Sequence, residues 1–261
     1  MADEMTFWDH LDELRKVVVR VLVLVLAVGI VAFFFKEALF SLLLAPTKSD
    51  FVLFRWIGRL ASLFHRPPLT LEDCPVSLIS TQLTSQFVIH MSAALMTGVV
   101  LCTPYIVYQV FRFVSPALYA DERLYARQTL VWAFLLFFAG VVLNYLLIFP
   151  LSFRFLATYQ VSTEVANTFT LQSYMQTLFV LSLLMGLMFE LPVLCRLFAR
   201  LGFLTADFMR KYRRHAIIVI LLVAAIITPT GDVFTLSLVS LPILLLYELS
   251  IGVVARTEVA S

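Results

Sequence analysis

The chain has 261 residues, 61% of them hydrophobic and 14% charged, with a net charge of +2 and a mean hydropathy of +0.96. A soluble domain is about 45–50% apolar and about 25% charged, and a fold of this size cannot hide so much apolar surface from water. A soluble enzyme, a nucleic-acid binder and a disordered protein are excluded, and the composition indicates an all-α integral membrane protein.

The chain opens on a polar segment, residues 1–16, that leads into the first span. Thr6–Arg20 reads as a helix with Thr6 as N-cap and Asp9 three residues on. Phe7, Leu11, Leu14 and Val18 form an apolar stripe, and Asp9, Glu13, Lys16 and Arg20 form the opposite face. Spacing alone favours a solvated face with Glu13–Lys16 and Asp12–Lys16 pairs worth about 0.2–0.5 kcal/mol each. A membrane helix needs about 20 mostly apolar residues, and 17–35 supplies them. Acids precede this span and Lys36-Glu37 follows it with no small-residue cleavage site, so it does not read as a cleaved signal.

A long loop follows, residues 36–86. Within it, Phe51–Phe64 is apolar apart from Arg55, Arg59 and Ser62, and the arginines share a helical face with Ser62 and Arg66. This reads as an amphipathic helix that partly lies on the outer membrane surface and partly packs on its own protein, ended by Pro67-Pro68. Residues 87–110 form the second span, in which His90 reads as a hydrogen-bonded packing residue. The loop 111–128 carries Asp121 and Glu122, and an acid at the start of the next helix suits its dipole. Residues 129–149 form the third span, 150–172 a loop and 173–195 the fourth span. In the fourth, Glu190 stands in an apolar run, six residues or about 9 Å from Arg196. A carboxylate at such depth costs several kcal/mol unless paired or protonated, which ranks a functional role ahead of an internal pair with a Tyr, Thr or Gln. Pro192 frees a carbonyl and can kink the helix. After a basic loop, 196–215, the apolar stretch 216–247 is broken by Thr228-Pro229-Thr230-Gly231-Asp232. Two antiparallel helices of about 15 residues each are expected there, short enough to need a thinned bilayer.

Six spans result. Thirteen of the 19 basic residues fall on one side, in the 1–16, 111–128 and 196–215 segments and near the chain ends, and six on the other. The richer side is cytoplasmic by the positive-inside rule, and both termini with it. Residues 36–86 and 150–172 then lie outside. Cys74 alone faces the oxidising side, so no internal disulfide is available there. The four histidines show no metal spacing, there is no phosphate-binding loop and no nucleophile elbow. No catalytic residue, cofactor or metal is expected.

The remaining polar residues fall into motifs. His10-Leu11-Asp12-Glu13-Leu14-Arg15 resembles the N-terminal HLxELR motif of the TatC family, the multi-spanning core of the twin-arginine protein translocase. Phe113-x-x-Pro116-Ala117-Leu118-Tyr119-x-x-Glu122 resembles its first cytoplasmic loop. Phe189-Glu190-Leu191-Pro192-Val193 is similar to its FExPV motif, and Thr228-Pro229, Asp232-Val233-Phe234 and Pro242 to its last turn and sixth span. The resemblance runs in order over nearly the whole chain.

It implies a single six-span membrane domain, 1–261, in a bacterial cytoplasmic membrane, with no enzymatic activity. It further implies binding of Arg-Arg signal peptides of folded precursors through Glu13 and Glu122, with His10, Leu11, Leu14, Arg15, Phe113, Pro116, Leu118 and Asp232 as supporting motif residues. Glu190 and Pro192 would meet the transmembrane helix of a single-span TatA- or TatB-type partner, several copies would assemble, and transport would run on the proton-motive force. The chemistry agrees: a planar guanidinium is accepted bidentately by a carboxylate, which lysine cannot reproduce, and adjacent residues of an extended peptide point to opposite faces. Two arginines therefore call for two acids on different elements. Val17 and Leu236 stand where the family often has Arg and Gln, and Phe51–Arg66 reads as an insertion. Two other classes compete: a small proton-coupled solute carrier using Glu190, against which the missing inverted repeat counts, and a scaffold without substrate of its own.

Overall fold

A backbone in lipid must satisfy its own N–H and C=O groups, which leaves an apolar chain little choice but helix. The computed structural model describes residues 7–48, 50–63, 78–114, 123–160, 162, 167–228 and 231–260. Among them, five helical segments are long and apolar enough to cross a membrane: Leu11–Phe34, Ser85–Gln109, Leu130–Thr158, Leu171–Arg200 and Val233–Glu258. The chain divides into two compact bodies, one of residues 1–39 and 87–135 and the other of residues 40–86 and 136–261.

The first body holds α1 (Phe7–Phe34), the start of α2 (Lys36–Leu43), nearly all of α4 (Ser85–Val114) and the first part of α5 (Arg123–Leu143). Glycine sets how closely α1 and α4 approach. A Cβ on Gly98 would lie 2.7 Å from the Val25 carbonyl oxygen and 3.0 Å from the Gly29 nitrogen. Small residues at such crossings replace the hydrophobic drive that lipid cannot provide. His90 is buried and stacks on Phe33 with ring centroids 4.0 Å apart.

The second body begins with the end of α2 and continues through a 3₁₀ turn (Ala45–Thr47) to α3 (Val52–Leu63). The amphipathic helix forms where expected, and two of its anchors answer how it sits. Phe51 and Phe54 are buried, Phe51 edge-on to Tyr145 at 5.7 Å and Phe54 beneath the Arg154 guanidinium at 5.2 Å. Trp56 is exposed. β1 (Leu78–Ile79) pairs in parallel with β2 (Phe169–Thr170) in the register Leu78↔Phe169 and Ile79↔Thr170.

The third span does not end at Phe149. α5 passes into a π-helical segment, Asn144–Ile148, and straight on into α6 (Phe149–Thr158). Pro150, in the first turn of α6, would clash with the carbonyl four residues back in a regular helix. The wide π turn before it relieves that clash and carries the helix on. The segment expected to be a loop from residue 150 is therefore helical to Thr158. The π segment also turns polar groups inward. Asn144 Nδ2 donates to Ser182 Oγ at 2.9 Å, and the Tyr145 hydroxyl donates to the Leu42 carbonyl at 2.6 Å.

α7 (Leu171–Met188) is started by Thr170, whose hydroxyl accepts from the Ser173 amide at 3.2 Å. Its Tyr174 donates to the Leu43 carbonyl at 2.9 Å. Together the two tyrosines satisfy carbonyls that the end of α2 leaves open. Along the α5–α7 seam the spacing is again set by glycine: a Cβ on Gly140 would lie 2.6 Å from the Met185 carbonyl oxygen, and one on Gly186 would lie 2.7 Å from the Phe137 ring. α8 (Leu191–Arg200), α9 (Ala206–Lys211), α10 (Arg213–Ile227) and α11 (Val233–Ala260) complete the chain, with α11 packed along α8.

The break between α10 and α11 falls at the expected turn, with Gly231 at φ +61, where a side chain would be strained. Asp232 caps α11, its Oδ1 accepting from the Thr235 amide at 2.6 Å. The expectation of two short final helices is half corrected. α10 has 15 residues, about 22 Å of rise. α11 has 28 and is not short. It continues past Pro242 and Glu248 because its polar end is held: Glu258 Oε1 accepts from the Ala206 amide at 2.9 Å, and Tyr247 donates to the Met209 carbonyl at 2.9 Å.

Candidate functional site

Glu13 lies one turn before the apolar body of α1 and is half-buried, with Asp12, Arg15 and Lys16 exposed around it. Among the described residues neither Asp12 nor Glu13 forms an ion pair with Lys16. The two internal pairs expected of a merely solvated face are thus not made, and among the described residues the Glu13 carboxylate has no ion-pair partner. The apolar stripe is open, for Leu11, Leu14 and Val18 are all exposed. His10 belongs to the same helix. Thr6, the expected cap, lies outside the described residues. So do Pro116, Leu118, Asp121 and Glu122; of that loop motif only Phe113, half-buried in the last turn of α4, is described.

Glu190 occupies the break between α7 and α8. Its amide donates to the Leu187 carbonyl at 3.1 Å and its own carbonyl accepts from Val193 and Leu194 at 3.0 Å each, so it ends one helix and starts the next. Pro192 makes that restart easy. It is buried in the first helical turn of α8, where its missing N–H has no partner to lose. The side chain is the anomaly: Oε1 is buried and has no hydrogen-bond partner among the described residues. The alternative of an internal Tyr, Thr or Gln donor to this oxygen is not realised among them. A buried acceptor without a donor costs about 1–3 kcal/mol, more when charged, and an ionisable group in lipid is a candidate functional site. Asp232, by contrast, uses Oδ1 as a helix cap.

One polar constellation was not read from sequence. Arg213, at the start of α10, and Glu248 form a two-pronged ion pair, which with the Glu258 and Tyr247 contacts to α9 straps α9 and the start of α10 to α11. Beneath it Ala206, Met209, Ile251 and Val254 form a small core. Glu248, an acid after a long apolar run, was the available signal, and the basic residues of the 196–215 loop were the available partners. Among the described residues no group of three or more His, Cys, Asp or Glu could hold a metal ion. Cys102 and Cys195 are free thiols, and Cys74 lies outside the described residues.

The family model for the Sec-independent protein translocase protein (TatC) matches residues 9–242. The chain is 31% identical over 252 residues to the protein of that name from Blattabacterium sp. subsp. Periplaneta americana, covering 95% of this chain and 94% of the relative. It is 33% identical over 249 residues to the one from Deinococcus radiodurans, covering 94% and 83%. Its fold is similar to a crystal structure of the twin-arginine translocase receptor TatC, with a TM-score of 0.74, 28% identity and coverage of 95% of this chain and 99% of that one. A second crystal structure of that receptor, in the detergent DDM, matches at the same TM-score and identity. With five apolar helices of spanning length it is a multi-pass membrane protein, and its role is in protein transport: the chain belongs to the TatC family of Sec-independent protein translocase proteins.

Proposed function

We propose that the chain is the receptor core of a twin-arginine translocase in a bacterial cytoplasmic membrane, a single domain with six spans and both termini inside. α10 is the fifth span, its 15 residues short of the roughly 30 Å hydrocarbon layer and accommodated by local thinning. Glu13 and Glu122 take the two arginines of a signal peptide, and the exposed Leu11, Leu14 and Val18 offer its apolar part a surface to bury, at about 25 cal/mol per Å². His10, Arg15, Phe113, Pro116, Leu118 and Asp232 shape the elements that present those acids. Glu190, beside Pro192, completes its hydrogen bonding on the transmembrane helix of a single-span TatA- or TatB-type subunit, several copies assemble, and the proton-motive force drives export.

The observation that carries this reading is the half-buried Glu13 carboxylate, which among the described residues forms no ion pair with Arg15 or Lys16 beside it. Photocrosslinking of a precursor signal peptide tests it. A charged hydrogen bond is worth about 1.5–3 kcal/mol, so Glu13→Ala and Glu122→Ala each lower crosslinking to an Arg-Arg peptide about tenfold or more, and lower the already weak Lys-Lys crosslink far less. Equal loss for both peptides would refute paired-carboxylate recognition.

A further inference from the structure

The strapped α9 leaves one surface without a role. Its inner face, Ala206 and Met209, is buried against Ile251 and Val254 of α11. Aromatic rings stand exposed around it: Phe208 is 53% exposed and packs on Tyr212, just past the helix, 4.6 Å between ring centroids, while Phe203, in the turn before the helix, is 78% exposed. Basic residues frame these rings. Residues 196–215 hold Arg196, Arg200, Arg210, Lys211, Arg213 and Arg214 against a single acid, Asp207. The acids that face this corner are already engaged. Asp207 lies 3.4 Å from Arg210, Glu248 pairs with Arg213, and Glu258 accepts from the Ala206 amide. Among the described residues no acid pairs with Lys211 or Arg214, and Lys211 Nζ sits 5.9 Å from the Tyr212 ring.

Depth follows from length. The helical segment Leu171–Arg200 has 30 residues, a contour of about 45 Å, against a hydrocarbon layer of about 30 Å. Its basic end therefore reaches headgroup level. α9 runs along the second half of α11, from Tyr247 to Glu258, and the start of α10 lies 15 residues, about 22 Å of helix, from the turn after Ile227, so in the thinned bilayer proposed above this corner meets the headgroups. Exposed aromatic rings beside Lys211 and Arg214, with which no described acid pairs, at that depth match phosphate outside and acyl chain inside.

We propose that the corner formed by α9 and the start of α10 is a docking site for anionic phospholipid. Lys211 and Arg214 hold the headgroup phosphate, and Phe203 and Phe208 insert among the upper acyl chains. The purified full-length protein is placed in nanodiscs of phosphatidylcholine alone or with about one quarter phosphatidylglycerol, without precursor peptide, so the outcome is independent of signal-peptide recognition. Phosphatidylglycerol carried by the released protein is counted by native mass spectrometry. Each basic residue near an anionic surface is worth about a fivefold change in affinity. Lys211→Gln with Arg214→Gln should thus reduce phosphatidylglycerol retention by more than tenfold, and Phe203→Ser should reduce it further. The charge-preserving pair Lys211→Arg with Arg214→Lys should retain it, as should Lys36→Gln with Lys48→Gln elsewhere in the chain. Unfolding midpoints in phosphatidylcholine discs identify any variant that fails to fold, and the charge-preserving pair then decides the matter by keeping or losing the lipid. The proposal is overturned if the glutamine pair retains the lipid, if the Lys36/Lys48 pair loses it equally, or if inorganic phosphate in phosphatidylcholine discs raises the unfolding midpoint as much as phosphatidylglycerol does.

Discussion

Replacing Gly140 by alanine tests how closely α5 and α7 must approach. The added Cβ would stand 2.6 Å from the Met185 carbonyl oxygen, 2.9 Å from Phe189 Cγ and 3.0 Å from the Gly186 Cα. The first distance is about 0.8 Å short of the 3.4 Å at which ordinary contact begins, and two of the three atoms are backbone, so no rotamer change relieves the clash. Overpacking of this kind costs about 1–3 kcal/mol, and the helix propensity gained on going from Gly to Ala returns up to about 1 kcal/mol. A net loss of about 1–2 kcal/mol lowers the unfolding midpoint of the purified protein by roughly 2–8 °C for a chain of this size. Gly252→Ala is the internal control. Nothing lies within 4 Å of a Cβ there, so the midpoint should hold or rise. A Gly140→Ala protein as stable as the parent would refute the seam. The clash with Phe189 adds a second readout, because the ring that must move is the residue before Glu190.

The Tyr174→Phe protein loses the donor to the Leu43 carbonyl; at about 1–3 kcal/mol for a buried acceptor left unmade, limited proteolysis within residues 40–48 should accelerate while far-UV circular dichroism is unchanged. Removing the α11 cap in Asp232→Ala costs about 1 kcal/mol and speeds amide exchange at Thr235, whereas Asp232→Asn keeps most of the protection. With Glu190→Ala, co-purification of a single-span partner falls while crosslinking to an Arg-Arg signal peptide persists, and normal co-purification would remove the assembly role from Glu190.

What was legible in the sequence was what lipid imposes on every residue in turn. Long apolar runs became the long helices, and Gly231 with Asp232 became the turn between the last two. What stayed hidden depended on partners far along the chain. Pro150 reads as the end of a helix, and only the π turn of Asn144–Ile148 lets the helix run on to Thr158. α11 reads as short because its hydropathy fades after Tyr247, yet Glu258 and Tyr247 find backbone partners on α9. Glu190 was singled out by its depth in an apolar run and by its motif, and its buried oxygen remains without a hydrogen-bond partner among the described residues. Of the two acids proposed to take the signal peptide, Glu13 is described and Glu122 is not.

α11 can also be regarded as a lever. It is capped at Asp232 next to one turn and grips α9 along its second half through Tyr247 and Glu258, with Pro242 between the cap and that grip. A proline removes one rung of the hydrogen-bond ladder, so bending concentrates there while the two arms stay stiff. A tilt imposed at the Asp232 end is then taken up in part at residue 242 before it reaches α9 and the basic corner around it, and a load on that corner is likewise partly absorbed there. The helix couples two surfaces that share no residue, and stiffening it at residue 242 should change how faithfully one end follows the other.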